Sequence, residues 1–314
     1  MSPYVTIILK IVPIAALFLI GALLRKINFF TAEVVAGLKK LVVNITLPSL
    51  LFLAFSSSNL KLFHLLLVGA VFLVCLIMLY LGRVLGKAVR VQSPYFAFLL
   101  AGFETGMLGY AIYTSVFGLE NIHRLALIDL GQVLFVFFVL MPTLIKMRGE
   151  AGTPREVGRL FITSPVIVSI FAGIAVSLLN RAVPLFGSPA WGTVENLATM
   201  VGSVTTPVIC IVIGFELKFA GGGLGDSIKT IAVRTVLLVA LAFLLNRFFL
   251  RGALGLSRLH EYALMTMFVL PPPFVISVFM DEKDTANNHY VANTLSLNTV
   301  VSVAVFIAVM LVMQ

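Results

Sequence analysis

Apolar residues in this chain do not recur with the period of an amphipathic helix or strand. They run in blocks of roughly 20 residues, separated by short charged loops, and a membrane-spanning helix needs about that length. The blocks fall at 6–24, 38–55, 62–85, 95–117, 124–145, 165–183, 194–215, 231–250, 262–279 and 291–313. The pattern predicts an all-α membrane protein of ten transmembrane helices. The longest basic connector, Lys146-Met-Arg-Gly-Glu-Ala-Gly-Thr-Pro-Arg-Glu-Val-Gly-Arg159, leaves five blocks on each side. The expected organisation is a first repeat at 1–145, a cytoplasmic connector at 146–163 and a second repeat at 164–314.

Composition removes the alternatives. The chain is 60% hydrophobic and 11% charged, with mean hydropathy +1.11, whereas a soluble domain carries about 25% charged residues. Its formal charge of +9 is not gathered into a stripe that would hold nucleic acid. The basic residues stand at the ends of apolar blocks, where lipid headgroups and water receive them. Cys75 and Cys210 both lie inside apolar blocks, which leaves no extracellular disulfide framework. The first block carries Lys10 and Pro13 without an obvious small-residue cleavage site, and it reads as a retained helix.

Cytoplasmic loops are enriched in Lys and Arg, and this sets orientation. With the N-terminus outside, 15 of the 22 basic residues fall inside, among them Arg25, Lys39, Lys146, Arg159 and Arg234. Lys10, Lys61, Arg124, Arg181 and the dissenting cluster Arg247, Arg251 and Arg258 fall outside. Both termini are therefore predicted outside a plasma or inner membrane.

The halves echo each other. Leu38, Thr46 and Pro48 in the second block have the same spacing as Leu197, Thr205 and Pro207 in the seventh. Ser115-Val116-Phe117 near the end of the fourth is repeated as Ser277-Val278-Phe279 near the end of the ninth. Five helices is an odd number, so the second half enters the membrane from the opposite side. An inverted repeat follows by parity, with a site near the midplane where the halves meet. Chance likeness between apolar segments competes for each match alone; their shared order favours the repeat.

Two blocks contain helix-breaking residues. The fourth reads Ala101-Gly-Phe-Glu-Thr-Gly-Met-Leu-Gly-Tyr-Ala-Ile-Tyr113, and the ninth carries Pro271, Pro272 and Pro273. Irregular backbone at membrane depth survives only where protein or a watery cavity satisfies it, and paired interruptions point to a transport site. Packing alone accounts for Gly102 comfortably but fits a triple proline poorly. An ionised carboxylate at the bilayer centre costs about 2.5–3.5 kcal/mol, so Glu104 and Asp129 should be neutral, paired or hydrated. Glu104, beside broken backbone, is the stronger candidate for proton or cation coupling. Asp129 serves equally well as a structurally paired residue. The amides Gln132, Asn293 and Asn298, with Ser296, offer neutral ligands for a cation or a carboxylate; interhelical hydrogen bonding competes evenly for each. Asn44, Thr46 and Pro48 read first as hinge or packing elements, with lining of a cavity as the alternative, and on that alternative Asn44 counts among the substrate-binding candidates.

No phosphate-binding loop is present, and Gly221-Gly-Gly-Leu-Gly225 follows a span and reads as a flexible connector. The histidines at 64, 123, 260 and 289 have no metal-ligand spacing, and no catalytic pairing is evident. The expectation is a carrier with no cofactor, coupled if at all to H+ or Na+.

Asn44-Ile-Thr-Leu-Pro-Ser-Leu-Leu-Phe52, Gly106-Met-Leu-Gly109 and the prolines at 271–273 give the chain a resemblance to the auxin efflux carrier family in its short bacterial form. The resemblance covers nearly all 314 residues. It implies a fold like that of bile acid–sodium symporters. Helices 1, 2, 6 and 7 would form a scaffold, and helices 3–5 and 8–10 a mobile transport domain with crossovers near 104–111 and 270–274. It also implies export or exchange of small organic anions such as malate, malonate or an indole acid, bound near Gly106, Gly109 and Tyr110, and dimerisation through the scaffold. Where the family commonly has Asn this chain has Glu104, and where it has Pro this chain has Ala111. A carboxyl can carry a proton, which an amide cannot.

Overall fold

The computed structural model describes residues 3–58, 63–149, 153–281 and 283–313. Lys61 of the charge count, the first residue of the 62–85 block, the middle of the connector and the outermost residues of both predicted repeats lie outside the described residues. Among the described residues every element is helical and there is no strand. In chain order these are α1 (Pro3–Lys26), α2 (Ala32–Ser56), α3 (Phe63–Val89), α4 (Phe96–Leu100), α5 (residues 105–117) and α6 (Leu119–Met147). Then follow α7 (Pro154–Thr163), α8 (Pro165–Ala182), α9 (Pro189–Glu216), α10 (Leu224–Ala253), α11 (Arg258–Val269), α12 (Val275–Val278) and α13 (Thr285–Met313).

Nine of the described segments are long and apolar enough to cross a membrane, with α4 and α5 counted as one, Phe96–Phe117. The chain is a multi-pass membrane protein. The block expected at 262–279 is not among the nine. α11 stops at Val269, and three consecutive residues without an amide proton prevent the helix from running on into α12. The expected connector is partly ordered: Thr153 and Glu156 form a reciprocal capping box that starts α7. Phe161 of α7 packs against Phe137 and Phe138 of α6.

Two helix pairs pack at backbone contact. Gly21 of α1 lies against Ile211 and Phe215 of α9, where a Cβ would fall 2.0 Å from the Ile211 carbonyl oxygen. Gly173 of α8 lies against Phe52 and Ser56 of α2, where a Cβ would fall 2.6 Å from the Phe52 oxygen. Ile211 and Phe215 stand 159 residues after Phe52 and Ser56, which is also the interval from Pro48 to Pro207. At the same interval Thr205 donates its hydroxyl to Thr46 Oγ1 at 2.8 Å. Ahead of each proline the helix departs from α geometry, through a π turn at Val42–Thr46 and a turn at Val204. A proline cannot donate to the carbonyl four residues back, and these irregular turns accommodate that loss.

The broken segment is the innermost. In Phe96–Phe117, 89% of the membrane-length window is buried, against 17% in Pro165–Ala182, so α4 and α5 run through the protein while α8 is largely exposed at its surface. α3, α6, α10 and α11 pack around them, together with α1 and α9. The Ser-Val-Phe echo does not mark equivalent positions. It ends α5 well past Glu104 but ends α12 one turn past the prolines.

Candidate functional site

α4 ends because Ala101 turns extended, at φ −103° and ψ 150°, and Gly102 follows at φ +72°. A left-handed φ is costly for a residue with a Cβ, and one placed on Gly102 would also fall 2.8 Å from Pro273 Cγ. Gly102, which packing alone seemed to explain, is thus the hinge. Helical structure resumes at Thr105, so the first break lies at 101–104, upstream of the expected 104–111. Gly106 and Gly109 belong to a π turn, Thr105–Gly109, instead of interrupting the helix. α11 breaks correspondingly at Leu270, with ψ 155°, and Pro271–Pro273 carry the chain across.

The two breaks are joined by the backbone. Glu104 N–H donates to the Pro271 carbonyl at 2.9 Å. The Glu104 side chain, 9% exposed, then links two helix starts. Its Oε1 accepts from Met107 N–H at 3.3 Å in α5, and its Oε2 from Phe274 N–H at 2.6 Å just before α12. Unpaired amides at a helix N-terminus favour negative charge, and here one carboxylate serves two of them.

The opposite ends are held by Arg234 of α10, which is 1% exposed. Its guanidinium donates to the carbonyls of Leu99 (3.1 Å), Leu100 (2.7 Å), Gly102 (2.6 Å) and Leu270 (3.0 Å). It also lies 5.4 Å from the centre of the Phe103 ring, which stacks on Phe268 at 5.0 Å. These carbonyls are the ones that α4 and α11 leave unpaired where they stop. Counting Arg234 as a cytoplasmic loop charge was therefore mistaken: it belongs to neither membrane face. The signal available in the sequence was a cation inside the apolar run Ile231-Ala-Val-Arg-Thr-Val-Leu237.

α6 contributes the third side. Gln132 Nε2 donates to the Phe103 carbonyl at 2.6 Å, and Asp129 Oδ2 accepts from the Tyr110 hydroxyl at 2.9 Å. Asp129 Oδ1, Gln132 Oε1 and Thr105 Oγ1 are buried and make no hydrogen bond of full geometry, with Thr105 beside Asp129. Pro271 and Pro273 thus touch Glu104 and Gly102, with Pro272 between them. Gly109 packs on Leu270.

Other predicted residues lie elsewhere. Asn293 of α13 accepts from Ala220 N–H at 2.7 Å and donates to the carbonyls of Ala220 (3.1 Å) and Gly222 (2.6 Å), so it ties down the glycine-rich connector. Ser296 accepts from Lys218 N–H at 3.2 Å in the same connector. Asn44 is exposed and donates to Lys40 O at 2.8 Å, one turn back on its own helix. Asn298 is buried in α13 with Nδ2 unpartnered. A cavity of about 640 Å³, lined by Leu50, Ala54, Ile122, His123, Trp191 and Glu195 among others, separates α2 and α9 from the start of α6. One turn before Leu50 on the same helix, Leu47 lies next to Gly106.

The class this defines is an all-helical, multi-pass membrane protein with two interrupted helices meeting at a buried carboxylate. No protein-family model matches the chain. A Methanocaldococcus jannaschii protein described as an uncharacterized transporter is 24% identical over 297 residues, covering 90% of this chain and 92% of its own length. That likeness, with the apolar helices, points to a transporter.

Proposed function

We propose that the protein is a secondary active transporter of small organic anions, working by alternating access and coupled to protons through Glu104. The observation that carries the reading is the meeting of two half-helix N-termini on one buried carboxyl group. Such ends are suited to a carboxylate cargo, and a carboxyl group there can load and release a proton. The fold is read as ten spans, with α11 and α12 together making the ninth, in a five-plus-five inverted repeat. The common interval of 159 residues in the glycine contacts and the Thr46–Thr205 bond support the repeat. α1, α2, α8 and α9 would be the scaffold, the remaining spans the moving domain, and the cavity between α2 and α6 part of the access path. Both termini outside, a scaffold-mediated homodimer and kinship with the auxin efflux carriers belong to the same reading. Malate, malonate and an indole acid are the first substrates to try.

Glu104→Gln in proteoliposomes tests it. The protein should fold and its carboxylate transport should lose its dependence on pH. Unchanged pH dependence would remove Glu104 from coupling.

A second reading is a monovalent cation/proton antiporter on the same architecture. It is favoured by the unpartnered Asp129 Oδ1, Gln132 Oε1 and Thr105 Oγ1, since oxygens without donors suit Na+ or K+. Sodium- or potassium-driven proton flux in the absence of any organic anion would select it.

A further inference from the structure

We propose that α7 is an interfacial helix that docks on anionic phospholipid headgroups, with Arg155 and Arg159 as the headgroup ligands and the last turn set at the edge of the lipid tails. This rests on the multi-pass character of the chain and not on the transport reading. α6, at 29 residues, is about 43 Å long, against about 30 Å for the hydrocarbon core of a bilayer. α8, at 18 residues, is about 27 Å long and fills that core by itself. α7 packs back along the end of α6. Its Phe161 meets Phe137 and Phe138 at 5.4 and 5.1 Å between ring centres, about 14 Å back from where α6 stops at Met147. Only Ser164 separates α7 from α8, so α8 enters the core at that same level. The remaining length of α6 therefore projects into the headgroup layer, with Lys146 in its last turn and Arg148 at its cap.

The chemistry of α7 is divided along its length. Leu160, Phe161 and Ile162 make the last turn apolar on every side, and contact with α6 covers only the side of Phe161. Leu160 stays 51% exposed and Ile162 68%, at the level where α8 enters the core. Apolar side chains at that depth are covered by lipid tails. Earlier on the helix stand Arg155 and Arg159, four residues apart and so on one face, both exposed. Neither enters an ion pair among the described residues. Glu156 between them is taken up by Thr153 N–H in the capping box. An arginine stem can lie along apolar surface while its guanidinium reaches a phosphate and binds it through two N–H groups. With Lys146 and Arg148 the connector carries four cations against Glu150 and Glu156. An apolar last turn with an excess of cations above it matches a leaflet of net negative charge. A second copy of the chain would bring the same cations against themselves. Because α7 joins α6 to α8, leaflet charge would set how firmly that joint is held.

The test places a fluorophore on the last turn. Full-length protein carrying Leu160→Cys would be labelled with an environment-sensitive dye and reconstituted in nanodiscs. Cys75 and Cys210 are buried, and the unsubstituted chain taken through the same reaction gives the background. Phosphatidylglycerol and phosphatidylcholine, spin-labelled on the acyl chain and compared at equal mole fraction, serve as quenchers. Both should quench, and phosphatidylglycerol should act as if enriched at least about threefold around α7. The enrichment should vanish near 1 M salt, where the screening length falls to about 3 Å. Arg155→Gln combined with Arg159→Gln should abolish it too, leaving quenching by phosphatidylcholine and the melting midpoint unchanged. Absence of quenching by either lipid overturns the membrane seat of α7. Equal quenching by the two lipids at low salt overturns the headgroup site, and so does an enrichment that survives the double substitution. Should that variant fail to fold, the salt titration of the unsubstituted arginines decides alone. Quenching present in discs with one copy but lost in discs with two would give the face to a second copy and overturn the proposal.

Discussion

Arg234 and Glu104 are both buried charges held by broken helix ends, yet they are held differently. Arg234 fills four carbonyls with a planar, multi-donor group and stacks on Phe103 as well. Glu104 accepts from two amides, one of them long at 3.3 Å. The guanidinium has one way to satisfy its surroundings. The carboxyl group has two, ionised on both amides or protonated on one. One end of the crossover is therefore a fixed clamp and the other a switch. That division suits a device whose half-helices must stay joined while the charge at their meeting point changes.

The largest expected effect comes from removing the clamp. Arg234→Met leaves four buried carbonyls without their donor, and even one such orphan costs about 1–3 kcal/mol. The variant should not yield a monodisperse protein, while Arg234→Lys should retain partial stability because an ammonium offers three donors. Glu104→Gln, by contrast, keeps an acceptor for one amide and should cost only about 1–2 kcal/mol. Melting curves of the three variants in one detergent would test this order. A stable Arg234→Met would break the comparison, since the four carbonyls would then not depend on that side chain.

A smaller effect is expected at the hinge between the two charges. Gly102→Ala must hold a Cβ at φ +72° and push against Pro273, whose Cγ would stand 2.8 Å away. The strain should cost about 1–3 kcal/mol and weaken both charged contacts together, because Gly102 O is one of the Arg234 acceptors. Transport should fall further than stability alone explains. A variant that melts lower but transports at full rate would show that the hinge only holds the fold.

The helical, membrane-spanning character was legible because block length and hydropathy report it directly. Glu104 and the prolines were legible for the same reason, as residues the bilayer core penalises. The same rule applied to Arg234 and was not followed, because loop counting assigned every cation to a face. Gly102 was undervalued because sequence spacing cannot distinguish a glycine that packs from one that turns left-handed; only φ does. Conversely, the glycine pair Gly106 and Gly109 looked like a break but belongs to a π turn that Glu104 caps from upstream. The amides were the least legible. An Asn in an apolar helix needs a partner, but its neighbours along the chain do not say whether that partner lies in a site or in a connector.

Asn293 and Asn44 turn that last point into the smallest measurable contrast. Both are amides in apolar surroundings, and both looked able to line a cavity. Asn293 makes three hydrogen bonds to the connector at Ala220 and Gly222, fully buried, whereas Asn44 makes one to its own helix and is exposed. Asn293→Ala should therefore cost about 1–3 kcal/mol and loosen the connector, which hydrogen exchange at 217–223 would register. Asn44→Ala should stay within about 0.5 kcal/mol of wild type. Neither should alter the affinity of a carboxylate at the crossover. If Asn293→Ala changes ligand affinity without changing exchange in the connector, the amide serves the site after all, and the connector's order comes from the helices on either side of it.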